Sequence, residues 1–282
     1  MNLNYSNAFE VEMQVIGFEE LYPSVYRLKV PFEDIYTAVF LVKSDRGCML
    51  FDTGAKAADA TDIIIPALCR LGIAAEELKY IFCSHAHGDH AGGLRTLVSL
   101  YPSACVLSGS SFVKDRLALE NHRKLTDGEE LLPGFTAIYL PGHTGDIFCL
   151  FDTKTKTLIS SDALQLCGIT KYGCGLDVYD SYIKTLDRLC GMDIECIIAS
   201  HEYYPLGAIA QGKEKVAEYL SECRRYAEYI ARAADVYIEK GIIDKTVVCD
   251  AIRAQNALKD KKIPTLQYHT VAGYIKSRTS AM

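Results

Sequence analysis

Three histidines and an aspartate fall within six residues, His85-Ala86-His87-Gly88-Asp89-His90, in a chain with only seven histidines. Imidazole and carboxylate are ligands for zinc and similar first-row metals. Four such groups on one short segment can surround one or two ions without long loop closure. Three more polar residues recur in the same kind of place, just past an apolar run. His143 follows the run ending at Leu140, Asp162 the run ending at Ile159, and His201 the run ending at Ala199. Strand ends that share one edge of a sheet point their loops at a common place. That arrangement would gather His85, His87, Asp89, His90, His143, Asp162 and His201 into one site.

The elements that must position these residues are legible as patterns. The apolar run 80–84 reads as a buried strand, and 91–98 as the start of a helix, so the cluster sits at a strand-to-helix junction. The first fifty residues are strand-rich, with runs at 11–17, 25–30, 37–42 and 48–51, the last ended by Asp52-Thr53-Gly54. A helix is expected over 60–71, stopped by Gly72. Strands follow at 104–107, 136–140, 147–151, 157–159 and 196–199, with a helix over 178–189. From Lys213 onward Val216, Tyr219, Leu220, Cys223, Tyr226, Ile230, Ala234 and Tyr237 repeat at helical spacing. Two further helices are expected over 245–258 and 266–276, on either side of Pro264. The order suggests two α/β halves around a sandwich core.

Bulk properties narrow the function classes. The 282 residues can bury a sizeable core, and 49% hydrophobic with 23% charged residues is ordinary for a soluble globular protein. The net charge of −6 argues against broad electrostatic binding to nucleic acid or to an anionic membrane. The eleven cysteines are scattered, none forms a Cys-x-x-Cys pair, and they read as small buried hydrophobes in a reducing compartment. The start, Met1 to Ser6, has neither a basic nor an apolar leader region, and no run reaches membrane-spanning length. A cytoplasmic protein with a small-molecule substrate and no nucleic-acid or membrane partner is expected. His122, in the polar stretch 120–124, is expected to be exposed.

Phe51-Asp52-Thr53-Gly54, His85-x-His87-x-Asp89-His90, His143, Asp162 and His201, in this order, resemble the metallo-β-lactamase superfamily of hydrolases. The resemblance implies an α+β fold, an αβ/βα four-layer sandwich, here with a C-terminal helical extension. Residues 1–210 would be the metal-binding domain and 211–282 the extension, packed on or near the site. It also implies two divalent metal ions, zinc first, with iron or manganese as alternatives. His85, His87 and His143 would hold one ion, Asp89, His90 and His201 the second, and Asp162 would bridge them. A hydroxide between the ions would attack a carbonyl or phosphoryl centre. Asp52 would orient a ligand through a hydrogen bond, and Asp89 would also accept a proton during turnover.

Within the superfamily, histidine at position 87 and Asp162 as bridge resemble the glyoxalase II and lactonase branches. Flavodiiron reductases generally carry glutamate at the position of His87 and add a flavodoxin domain, for which the 81 residues after His201 are too few. The expected reaction is hydrolysis of a small ester, thioester or lactone. The alternatives are a mononuclear iron oxidoreductase similar to persulfide dioxygenases, or a phosphodiesterase. A tyrosine hydroxyl would help stabilise the oxyanion, with Tyr172 assigned a catalytic role and Tyr203 and Tyr204 as further candidates. The stretch 165–175, with three glycines, reads as a loop over the site, and the helical stripe 216–237 offers a seam for a homodimer.

Overall fold

Three separate apolar clusters fill the interior, and between them they define four layers. The computed structural model describes residues 16–110, 119–169, 173–255 and 265–279. Strands β1 (Glu19–Tyr22), β2 (Val25–Phe32), β3 (Ile35–Ser44), β4 (Gly47–Phe51), β5 (Leu78–Cys83), β6 (Cys105–Ser108) and β7 (His122–Lys124) lie side by side in chain order. Strands β8 (Glu130–Leu132), β9 (Phe135–Tyr139), β10 (Phe148–Asp152), β11 (Thr157–Ser161), β12 (Cys196–Ala199) and β13 (Ile209–Gln211) form a second sheet, also in chain order. Because strand side chains alternate, β3 sends Val39 and Leu41 to one face and Phe40 and Val42 to the other. Phe40, Phe51, Phe82 and Leu107 meet Leu150, Ile159 and Ile198 between the sheets.

The outer face of the first sheet packs on helices. Ile64 and Leu68 come from a π-helical turn (Asp59–Ile64) that runs into α1 (Ile65–Arg70). Leu94 and Leu97 come from α3 (Leu94–Leu100), which follows the single turn α2 (Gly88–Ala91). The outer face of the second sheet packs on α4 (Tyr179–Cys190), α5 (Lys213–Ile238), α6 (Lys245–Gln255) and α7 (Thr265–Thr279). The helical stripe expected from Lys213 onward is the buried face of α5: every member except Tyr237 is buried. The four layers are the expected αβ/βα sandwich.

Strand direction decides where the loops go. Strands β4, β5 and β6 run parallel, so their carboxyl ends share one edge. In the second sheet β11 and β12 are parallel, and β9 runs with them because both β9 and β11 are antiparallel to β10. The two edges are tied together by backbone bonds from Ala38 N–H to the Ser200 carbonyl (2.8 Å) and from Phe148 N–H to the Ser84 carbonyl (2.9 Å). Asp52, the His85–His90 run, His143, Asp162 and His201 all follow strand ends at this one edge.

Several expectations change. Strands β1, β7, β8 and β13 are only three or four residues long, too short to show a two-residue period. His122 is not an exposed residue: it lies in β7, half-buried, with Nε2 2.8 Å from the Ser108 hydroxyl. Cys69 and Cys190 are exposed, whereas most other cysteines are buried, and all eleven are free thiols, Cys167 and Cys174 included. Of the run 11–17, residues 11–15 lie outside the described residues, and 16 and 17 are not in a strand. Among the described residues no helix is long and apolar enough to cross a membrane.

Candidate metal centre

The β5-to-α2 junction is built to crowd its ligands. Backbone φ and ψ turn helical at Gly88, and the His90 and Ala91 N–H groups close onto the His87 carbonyl. The chain then presses against the end of β4: Thr53 N–H and its hydroxyl both donate to the His90 carbonyl, at 2.8 and 2.7 Å. At Gly92 a Cβ would lie 1.9 Å from the Ala55 carbonyl oxygen, so only glycine permits this approach.

Two ligand groups result. In the first, His85 Nε2 lies 3.0 Å and His143 Nε2 2.9 Å from His87 Nδ1. In the second, His90 Nε2 and His201 Nε2 lie 3.3 and 3.2 Å from Asp89 Oδ2. Asp162 lies between the groups, with Oδ2 3.3 Å from His90 Nε2 and 3.7 Å from His143 Nε2, and Oδ1 3.4 Å from His201 Nε2. The potential ligand atoms of each group lie within 4.8 Å of one another. The structure thus brings all seven expected ligands together.

Each inward-facing nitrogen is set by what the other ring nitrogen does. His90 Nδ1 is 2.7 Å from Asp52 Oδ2, His143 Nδ1 donates to the Gly175 carbonyl (2.7 Å), and His201 Nδ1 donates to the Tyr36 carbonyl (2.6 Å). His85 Nδ1 meets the Ser84 hydroxyl at 3.0 Å. In all four Nε2 is left facing the site. Asp52, fully buried, also accepts from Ser84 N–H (2.8 Å), Ser84 Oγ (2.9 Å) and Ser161 Oγ (3.3 Å). The expected orienting contact of Asp52 therefore falls on His90.

Whether metal ions fit can be judged from the donor set itself. His90 Nε2 and Asp162 Oδ1 are buried polar atoms with no hydrogen-bond partner, and leaving such atoms unpaired is costly. In the first group His85 Nε2 and His143 Nε2 both converge on His87 Nδ1, which carries at most one proton. Both features are satisfied by a cation at each group.

Burial holds the His85 imidazole well below its usual range and pushes His143 down to about 4, so these two rings present neutral nitrogen. In the second group burial would also favour neutral rings, but carboxylates outweigh it. Asp89, Asp162 and Asp52 raise His90 well above its usual range, and Asp162 and Asp89 raise His201 to about 9. Burial would raise Asp89 and Asp162, yet His90 and His201 hold both carboxylates far below their usual range. Without metal, protons on His90 and His201 balance the carboxylates.

A linked expectation follows for pH. A group raised from 6.5 to about 9, as His201 is, stabilises the metal-free fold fully below pH 6.5 and loses that contribution as pH rises through about 9. Chelator-treated protein should therefore lose thermal stability between pH 6.5 and 9.5. Zinc added at pH 7 should displace these protons, so affinity of the second group rises with pH over the same range. Proton release on zinc addition, followed with an indicator dye, checks this; metal uptake with no proton release would contradict the assignment.

Sequence reading missed Ser84, Ser161 and Gln165. Ser84 and Ser161 join the sheets through a 2.9 Å contact, and Ser161 does so with φ at 47°. Their only sequence signal is a position directly before a ligand. Gln165, fully buried, accepts the Gly175 N–H at 2.6 Å and places its Nε2 2.9 Å from His143 Nδ1. The described parts of the 165–175 stretch, including Gln165, Leu166 and Cys174, are mostly buried and bonded rather than free over the site. Tyr172 lies outside the described residues. Tyr203 is buried beside His201, its hydroxyl without a hydrogen-bond partner, whereas Tyr204 is exposed.

This fold is that of the metallo-β-lactamases. A metallo-beta-lactamase family protein from Thermus thermophilus superposes with a TM-score of 0.67 over 93% of this chain and 95% of that one, at 17% identity. The family model described as the metallo-beta-lactamase superfamily matches residues 33–104. A hydroxyacylglutathione hydrolase of Francisella philomiragia is 32% identical over 38% of this chain and 44% of that protein. An atrochrysone carboxyl ACP thioesterase of Emericella nidulans is 28% identical over 62% and 54%. The chain spans about half the length of these curated relatives. The chain belongs to the metallo-β-lactamase superfamily.

Proposed function

We propose that this protein hydrolyses a small ester, thioester or lactone with the help of two divalent metal ions, zinc first. The observation that carries the reading is the place of Asp162, whose two oxygens face His90, His143 and His201 together. His85, His87 and His143 would hold one ion, and Asp89, His90 and His201 the other, with Asp162 reaching both. When bound, such ions polarise a substrate oxygen and lower the pKa of water towards neutrality. Asp52, the Gly175 carbonyl and the Tyr36 carbonyl keep the rings in one tautomer. Asp89, whose side chain keeps 17% exposure against 8% for Asp162, is the carboxylate we assign to take up a proton during turnover.

The relatives named hydroxyacylglutathione hydrolase and atrochrysone carboxyl ACP thioesterase support a thioester within this range. Beside the loop that carries His143, the two sheet edges leave a cavity of about 480 Å³. Lys124, Leu125, Tyr139 and Phe148 line it, and Phe148 is bonded to the residue before His85. We assign it to the acyl or leaving group. A cytoplasmic protein acting on a small molecule, without nucleic acid or membrane, is part of the same reading.

The test is metal analysis on protein purified without added metal, followed by a panel of thioesters, esters, lactones and phosphodiesters. Two zinc ions per chain and thioester or ester cleavage abolished by chelator are expected. One iron per chain with oxygen uptake on a persulfide would overturn the reading, as would two ions with no cleavage of the panel.

A further inference from the structure

One metal ligand is braced from the last helix of the fold. His143 Nδ1 lies 2.7 Å from the Gly175 carbonyl and 2.9 Å from Gln165 Nε2, Gln165 Oε1 accepts the Gly175 N–H, and Gly175 belongs to the segment that leads into α4. That segment is sewn to the His143 turn by Asp177 N–H to the His143 carbonyl (3.2 Å) and Val178 N–H to the Gly142 carbonyl (3.0 Å). On its other side stands α7. The Thr270 hydroxyl donates to the Cys174 carbonyl (2.6 Å) and accepts from Leu176 N–H (2.9 Å), the peptide groups that flank Gly175. Thr270 is fully buried, and its hydroxyl is used as donor and acceptor at once. One turn further on, a Cβ at Gly273 would lie 2.8 Å from the carbonyl oxygens of both Leu176 and Asp177, so the helix backbone rests directly on this segment.

We propose that Thr270 is a positioning residue for the metal centre: it fixes the 174–176 segment so that the Gly175 carbonyl holds the His143 ring with Nε2 towards His87. This rests on the two-ion reading above. Thr270 acts across 94 to 96 residues of sequence. Groups that orient a metal-bound imidazole are worth about 10–100-fold in affinity. Thr270→Val keeps the shape but leaves the Cys174 carbonyl and the Leu176 N–H unpaired in a buried place. Thr270→Ser keeps both bonds.

The test measures zinc stoichiometry and affinity on the full chain, by competition with a coloured chelator. Wild type, Thr270→Val, Thr270→Ser and Val271→Ala are compared, each with its Tm. Val271 is a buried apolar neighbour on the same helix, so its truncation lowers Tm while leaving the hydrogen bonds of Thr270 to the 174–176 segment in place. Thr270→Val should bind one of its two ions at least about tenfold more weakly. Thr270→Ser should restore wild-type affinity, and Val271→Ala should keep it despite a lower Tm. Should Thr270→Val not fold, Gly273→Ala, which pushes on the Leu176 and Asp177 carbonyls of the same segment, carries the same expectation. Wild-type affinity for both ions in Thr270→Val or Gly273→Ala overturns the brace, as does an equal loss in Val271→Ala. A wild type that binds no zinc overturns the metal centre itself and the brace with it.

Discussion

Asp162→Ala should remove metal and turnover together. Among the described residues Asp162 is the one carboxylate whose oxygens face both ligand groups, and its side chain is almost fully buried. Its loss takes a ligand from each proposed ion and leaves the raised imidazoles of His90 and His201 with less negative charge around them. Bound zinc should fall from two ions to one or fewer. Polarisation by an ion is worth several kcal/mol of transition-state stabilisation, so the loss of turnover should be at least about 10³-fold. Elemental analysis and steady-state rates on the same preparation read both effects. Full zinc content with undiminished turnover would show that Asp162 is not the bridge. Asp162→Asn, which keeps the shape and loses the charge, should fall between wild type and Asp162→Ala.

Substitution at Asp52 should separate stability from metal affinity. Asp52 is fully buried, 2.7 Å from His90 Nδ1, and accepts from Ser84 N–H, Ser84 Oγ and Ser161 Oγ. Asp52→Ala breaks a buried charged network from one side, a change that typically costs about 3–5 kcal/mol. It also places alanine at φ of 64°, a left-handed conformation that aspartate and asparagine adopt more readily. A fall in Tm of roughly 10 °C is expected for a chain of this size. Asp52→Asn suits the backbone and keeps the shape, so its Tm should fall less, but it removes the negative charge that orients His90. Affinity for the second ion should then drop by about 10–100-fold. Melting curves and zinc competition check the pair. Unchanged affinity in Asp52→Asn would remove Asp52 from the metal centre.

Much of the layering was readable because burial leaves a period in the sequence. The stripe from Val216 to Ala234 gave α5, and the apolar run before His85 gave β5. The edge strands were not readable, because three residues of β7, β8 or β13 carry no period. His122 shows the same limit in a single residue. Its polar neighbours suggest exposure, yet pairing of β7 with β6 brings Ser108 against its ring. Tyr172 was assigned from its nearness in sequence to Asp162 and lies outside the described residues. Tyr203, the tyrosine whose ring packs against a ligand, follows His201 by two residues.

What the sequence determined by itself is the local half of the site. His85, His87, Asp89 and His90 are held together by a single strand-to-helix turn, and no distant contact is needed to make them neighbours. Their places just past apolar runs pointed to the partners His143, Asp162 and His201, but only the tertiary structure brings them there. Their strands belong to the second sheet, and parallel running plus the packing of Phe40, Phe51 and Phe82 on Leu150 and Ile159 aligns the two edges. For His143 and His201, tertiary structure alone also chose what orients the ring. The Tyr36 and Gly175 carbonyls are backbone atoms that every residue carries, so no residue type advertises them. Thr270 acts through that backbone, from a helix whose sequence gives no sign of the ligand it steadies.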